Sequence, residues 1–480
     1  MSEIEIPPHG ECAESEPEKQ KTPRKVAAPA EKKTAEPSGV LTDKTLAKQI
    51  LELAVPSLGS LLAEPLMVLA DSAMVGHVGT AALAGLTLAS SITVLIVGMC
   101  IFLVYTTTAV AARKLGAGDQ VGAIKAGIDG VWLGVIVGVI LAGLVFVCAP
   151  WCMQFFGAEQ AVSEQGVRYL HTSCWSLIGM MLVLSGTGAL RGQLDTRTPF
   201  VISLAGALLN VVLNAALIFA AGLGVAGAGA GTSIAATAMG GAFVWRVMIG
   251  ARRAHVRLRP EFRGIAHAFA QGVPLMIRTA TMHAVIMGTL WVAASQGTVA
   301  VAGRQIVNTT WGLTANILDA LAIAGQALIG FELGRGSARR VRSLLRSLTR
   351  WGVGAGVVIG VLTAAVSPWW PRIFSSDLEV LHAATLALVI GAALQPLAGI
   401  VFMYDGVLIG ANDTWYLAKA GLVNVAIYAP ALAAVWIWAP GGAAGLAWLW
   451  ACYCGVFFAA RWLTLGVRIH TDAWMKLEAQ

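Results

Sequence analysis

The sequence predicts an all-α integral membrane protein of twelve transmembrane helices, arranged as two six-helix lobes related by a pseudo-twofold axis along the membrane normal. Three observations predict it. Of 480 residues, 57% are hydrophobic and only 12% are charged, against about 25% charged in an ordinary soluble chain. The apolar residues fall into twelve runs, most near or above the ~20 residues needed to cross a bilayer. And the chain repeats itself at a constant offset. The net charge of +7 is expected in the loops of one side of the membrane, and so implies no nucleic-acid partner.

In chain order, residues 1–44 are polar and rich in Pro, Glu and Lys, which predicts a disordered cytoplasmic tail. No apolar h-region precedes Leu51, so a cleaved secretory signal is not expected. A first lobe over 45–250 holds spans at 51–78, 83–112, 122–149, 168–189, 200–221 and 226–249. A basic linker over 251–267 follows. A second lobe over 268–470 holds spans at 268–294, 299–330, 351–368, 381–408, 417–438 and 443–466, and 471–480 form a short tail. Loops after even-numbered spans carry Arg113, Lys114, Lys125, Arg191, Arg197, the five arginines between Arg252 and Arg263, and six more between Arg335 and Arg350. Loops after odd-numbered spans offer only Arg372, with Arg168 at a helix start. The positive-inside rule therefore predicts both termini in the cytoplasm, in a plasma (inner) membrane.

The internal repeat has an offset of 218 residues. Pro56 meets Pro274, Gly79-Thr80 meets Gly297-Thr298, and Leu115-Gly116-x-Gly118 meets Leu333-Gly334-x-Gly336. Gly188, Leu190, Gly192 and Asp195-Thr196 meet Gly406, Leu408, Gly410 and Asp413-Thr414. Because each half holds an even number of spans, both enter from the same side. That arrangement suits alternating access, with substrate held between or within lobes. A channel would more naturally show a repeated filter or a ring of pore charges.

Charges inside spans mark candidate sites. Glu64 and Asp71 lie in the first span, seven residues apart and so on nearly one helix face. Each costs about 2.5–3.5 kcal/mol to insert at a helix centre, which makes function the default hypothesis. The alternative is that a helix neighbour neutralises each. At the repeat offset they fall on Met282 and Thr289, so they are not part of the shared scaffold. In the fifth span Asn210 and Asn214 are i,i+4 and share a face. Asn214 and Asp71 each lie roughly 10 Å from the outer end of their helices, so a cluster of Asp71, Asn210 and Asn214 is expected at one depth. The asparagines could equally be interhelical glue. A carboxyl in such surroundings is suited to taking up a proton on one side and releasing it on the other. Pro56 and Pro65 each remove a helix hydrogen bond, permitting either proton-linked bending or static kinks.

In the second lobe, Arg278 and Asp405 lie at similar depths from the inner ends of their spans, and a structural ion pair is expected because buried charges need partners. Asp319 sits nearer the middle of its span and is a possible substrate or coupling residue, as is Glu64. His283 is expected to be a packed or hydrogen-bonded residue. Other chemistry is poorly served. Cys148 with Cys152 and Cys452 with Cys454 match no metal-ligand set. No phosphate-binding GxxxxGK[ST] loop occurs, and His77 and His283 lie in different lobes without HExxH spacing, so no catalytic residue, metal or cofactor is expected.

The run EPLMVLADSAMVGHVGTAALAGL (Glu64–Leu86) resembles the first-helix signature of the MATE multidrug exporters, specifically their DinF branch. GALRGQLDTRTP (Gly188–Pro199) and DGVLIGANDT (Asp405–Thr414) resemble its paired helix-end motifs. LDALAIAGQALIG (Leu318–Gly330) and VPLMIRTAT (Val273–Thr281) are similar to its second-lobe signatures. The resemblance covers residues 45–470. It implies a twelve-helix antiporter, not an enzyme, expelling cationic or amphipathic organic compounds in exchange for protons or sodium ions, as a monomer whose other partner is membrane lipid. Carried over by motif, Asp71 matches the cation-site aspartate and Asn210 the fifth-helix asparagine. Asn214 stands where many members carry aspartate, which weakens a sodium site more than a proton site. Arg304 replaces a histidine common in the branch. A flippase of lipid-linked precursors in the same superfamily is the alternative, and it would be expected to present a cationic cavity for pyrophosphate.

Overall fold

The structure, a computed structural model, describes residues 43–157 and 159–477; the side chains of Asp43, Lys44 and Glu64 are outside that description. The expectations for the tail before residue 43 and for the Glu64 carboxylate therefore lie outside the described residues.

The apolar runs fold as α-helices throughout. The first lobe contains α1 (Asp43–Gly76), α2 (Thr80–Met99), α3 (Phe102–Gly116), α4 (Gln120–Phe155), α5 (Gln160–Ser173), α6 (Ser176–Gly192), α7 (Arg197–Ala215) and α8 (Gly224–Arg253). The second contains α9 (Phe262–Ser295), α10 (Thr298–Gly334), α11 (Ala338–Val366), α12 (Leu378–Gly410), α13 (Thr414–Trp438), α14 (Gly442–Ala451) and α15 (Phe458–His470). Among the described residues eleven helical stretches are long and apolar enough to cross a membrane, and a twelfth if α5 and α6 count as one span bent by 51°. The helices overrun the predicted spans because their ends project beyond the apolar run. The fourth span departs from expectation in shape as well as in length. It starts at Gln160 rather than 168 and turns sharply at Cys174–Trp175.

Short π-helical turns interrupt two spans, at Ala216–Ala220 after α7 and at Cys452–Phe457 between α14 and α15. Such turns are frequent at functional sites. Pro56 and Pro65 both sit inside a continuous α1. Pro56 has no N–H to give the Glu52 carbonyl, and the Thr196 hydroxyl reaches that oxygen from the start of α7 at 3.5 Å.

The repeat has a structural basis at its turns. Leu194 and Asn412, equivalent positions, both adopt left-handed backbone, at φ 61° and 58°. In each case the following aspartate N–H closes back on a leucine carbonyl, Asp195 on Leu190 and Asp413 on Leu408, both at 3.0 Å. Asp195 then caps α7 through Thr198 at 3.0 and 2.6 Å, whereas Asp413 pairs with Arg468 at 2.6 Å.

One charge counted as a loop base is nothing of the kind. Arg191, in the last turn of α6, is only 5% exposed, and its Nε has no hydrogen-bond partner. The basic linker is held against the first lobe: Lys125 Nζ donates to the Arg259 carbonyl at 2.8 Å, and Trp132 Nε1 to that of Leu258 at 3.0 Å.

The lobes meet towards the end that carries the basic loops. A Cβ on Gly116 would fall 2.7 Å from the Phe331 carbonyl carbon, and one on Gly334 would fall 2.8 Å from that of Arg113, so α3 and α10 touch backbone to backbone. Gln326 Nε2 donates to the Tyr105 carbonyl at 3.1 Å a little deeper. Arg113 also hydrogen-bonds the Lys476 carbonyl, drawing the segment after α15 across the same end.

Candidate functional site

The first-lobe cluster is assembled from four helices. Asp71 on α1 is 8% exposed, and Asn210 and Asn214 on α7 are fully buried. Asn214 Nδ2 donates to Asp71 Oδ1 at 2.6 Å, and lies 3.4 Å from Asn210 Oδ1. Asn210 Nδ2 in turn donates to the Thr232 hydroxyl of α8 at 3.3 Å. Tyr169 of α5 is buried within electrostatic reach of Asp71. The structure thus brings together Asp71, Asn210 and Asn214, through i,i+4 spacing on α7 and the packing of α1 on α7.

Sequence reasoning missed Gly231, Thr232 and Tyr169. Gly231 matters by what it lacks, since Asn214 Oδ1 lies where its Cβ would be. That oxygen is buried and has no donor. An asparagine amide can turn over, so the same side chain can donate to a charged carboxylate or accept from a protonated one. A second carboxylate at that position could not donate while ionised.

At the repeat offset Asp71 corresponds to Thr289 and Asn210 to Tyr428. These two meet, Thr289 Oγ1 lying 2.8 Å from Tyr428 Oη, whereas Asp71 is bonded by Asn214, one turn beyond Asn210 and equivalent to Leu432. The first and fifth helices are thus joined by a polar contact in each lobe, ionisable in the first and neutral in the second, but not at the same pair of positions. Around Tyr428 the second lobe packs rings: Trp311 lies 6.0 Å from Trp450, 5.8 Å from Tyr453 and 5.2 Å from Phe458, and Tyr428 lies 5.6 Å from Phe457. Arg304 is buried beside Tyr428 and Tyr453, and reaches the Ile286 carbonyl at 3.3 Å. His283 is locally bonded, Nδ1 to the Thr279 carbonyl at 3.0 Å, with its ring against Gly98.

Arg278 and Asp405 form a two-pronged ion pair. A residue that sequence reasoning passed over, although it lies inside the predicted span 443–466, joins them: Arg461 of α15 lies 3.2 Å from the same carboxylate, over the rings of Phe457 and Phe458 at 5.8 and 5.7 Å. Asp319 is half-buried and interacts electrostatically with Arg191 of the first lobe and with Arg278. Among these five groups, three cations face two anions. No group of three or more potential metal ligands occurs among the described residues.

The chain is similar to known proteins along most of its length. A family model described as MatE matches residues 56–216 and 274–435, two stretches that open on the paired prolines of the internal repeat. The chain is 27% identical over 392 residues to Protein DETOXIFICATION 44, chloroplastic, of Arabidopsis thaliana, covering 78% of this chain and 74% of that one. It is 27% identical over 461 residues to a probable multidrug resistance protein NorM of Pseudomonas syringae, covering 90% and 96%. Its fold matches that of the Vibrio cholerae MATE transporter VcmN in the bent form, with a TM-score of 0.80 at 22% identity over 91% of this chain and 99% of that one.

Proposed function

The chain belongs to the MatE family, and from its first-lobe carboxylate we propose that it exports cationic or amphipathic organic compounds in exchange for protons, by alternating access. The observation that carries this reading is the 2.6 Å contact between Asp71 and Asn214 in a buried, four-helix setting. A charged Asp71 accepts from Asn214 and attracts a cationic substrate. A proton on Asp71 removes that attraction, and its O–H can donate to the turned-over amide. Proton and substrate thus compete for one group, which is the requirement for exchange. Asn214 in place of a second carboxylate favours a proton over sodium, which takes several oxygen ligands of high negative charge. Export of drug-like compounds is supported by the multidrug name of the bacterial relative.

The end with the basic loops is read as cytoplasmic, in an inner membrane, a reading supported by the positive-inside rule. On that orientation the contacts of Gly116 with Phe331 and of Gly334 with Arg113 close the cytoplasmic side.

The test is efflux of a cationic dye from proteoliposomes under an imposed pH gradient, without sodium, comparing wild type with Asp71→Asn. The expected outcome is gradient-driven efflux that falls to background in the variant. Efflux indifferent to pH, or surviving the substitution, overturns proton coupling through the first lobe. A second reading, the precursor flippase, draws on the excess of arginine among Arg191, Arg278, Arg461, Asp319 and Asp405. It predicts Asp71-independent movement of a polyprenyl phosphate analogue, with the cationic dye left in place.

A further inference from the structure

The arginines around Asp405 also border a small cavity. Arg278 of α9, Asp405 of α12, Asn424 of α13 and Arg461 of α15 are each at most 8% exposed. With Phe457 and Leu465 they line a space of about 10 Å³ inside the second lobe, and no other charged side chain lines it. That is room for one water-sized guest.

Donors outnumber acceptors around this space. The Asp405 carboxylate takes Nε and Nη2 of Arg278 and has Nη2 of Arg461 at 3.2 Å. Nη1 of Arg278, and Nε and Nη1 of Arg461, are left without an acceptor among the described residues. Asn424 Oδ1 accepts from the Thr464 hydroxyl at 3.1 Å, which leaves the amide Nδ2 as a further donor. Charge is out of balance in the same sense, since two guanidinium groups share one carboxylate. Asp319 also interacts with Arg278, but it answers Arg191 as well, so three cations still face two anions. A charge held away from water without a counter-charge is costly, and a buried polar network is stable when every member has a partner.

We propose that this cavity binds one small monovalent anion of halide size, chloride in particular, held by Arg278, Arg461 and the Asn424 amide. Its single charge brings the five-group cluster to neutrality. Its size follows from the space, which a phosphate or sulfate overfills. The ion is a fixed part of the second lobe and not cargo: it ties α13 to α9 and α15 where those two meet at Asp405. Stability of the lobe then depends on the halide, whether or not Asp71 in the first lobe exchanges protons for substrate.

The test is the thermal unfolding midpoint of the purified full-length protein in a neutral detergent, at one pH and one ionic strength, in sodium chloride, bromide or gluconate. Chloride is expected to raise the midpoint saturably over gluconate, by about 3 °C at about a hundredfold excess over Kd, and bromide to replace it. Arg461→Gln leaves Arg278 and Asp405 as a balanced pair, so it should fold with a midpoint that no longer responds to chloride. Asn424→Asp supplies a carboxylate beside the two guanidinium groups. Its midpoint in gluconate should reach that of wild type in chloride and gain nothing more from the halide. Equal midpoints for wild type in chloride and gluconate overturn the proposal, with water as the guest. A chloride response undiminished in both variants also overturns it, in favour of a general salt effect.

Discussion

Asp71 depends on a neighbour that has no chemistry of its own. Gly231 on α8 leaves room for Asn214 Oδ1, and so fixes the amide against the carboxylate. Gly231→Ala puts a methyl group where that oxygen lies. The helix itself gains from the change, by up to about 1 kcal/mol of propensity, so the variant should fold. Its pH-gradient-driven dye efflux is nevertheless expected to fall at least severalfold, with part of it restored by Asn214→Ser, whose shorter side chain clears the methyl. Unchanged efflux in Gly231→Ala would remove Asn214 from the coupling site. The Arg278–Asp405 pair was legible because a buried charge demands a partner. Arg461 was passed over although it too lies inside a predicted span; its charge was a signal, but its pairing with Asp405 depends on how the last helix is turned.

At the scale of the element, the spans follow from hydropathy and their ends from local chemistry. Asp119 ends the loop after α3 and caps α4, accepting from the Gly122 N–H at 2.7 Å. That bond, with Lys114 nearby, holds its carboxyl below the usual carboxylate range. A lowered folded-state value means the cap contributes fully above the unfolded value near 4 and is lost as pH falls through the lower folded one. Asp119→Ala should cost the first turn of α4 about 1 kcal/mol. Amide hydrogen exchange there should therefore quicken about fivefold at neutral pH, and the difference from wild type should vanish in strong acid. The bend at Cys174–Trp175 belongs to this scale too. No proline or glycine marks it, so the sequence offered one straight span where the structure has a bent pair.

The whole molecule turns on the contact between its halves. The repeated Leu-Gly-x-Gly motifs read as a signature of duplication, and in the folded chain their first glycines face the partner helix across the lobe boundary. Gly116→Val puts branched carbon into the Phe331 backbone and should force this end apart. A bias of ~1.4 kcal/mol is already tenfold in population. Labelling of Ala112→Cys, buried on α3, by a membrane-impermeant maleimide from the basic side should accelerate about that much. An unaltered rate would mean that the contact does not gate access.

Hydropathy, charge bias and the internal repeat determined the all-helical class, the twelve spans, the two lobes and even the depth of Asp71 relative to Asn214. These are one-dimensional properties: helix rise converts residue number into depth, and the bilayer converts hydropathy into span. Which faces meet is a different kind of fact. The pairing of Asn214 with Gly231, the insertion of Arg461 beside Asp405, the burial of Arg191 and the meeting of Gly116 with α10 all depend on helix rotation and tilt. Those are set by close packing among side chains far apart in the chain, and only the tertiary structure decided them.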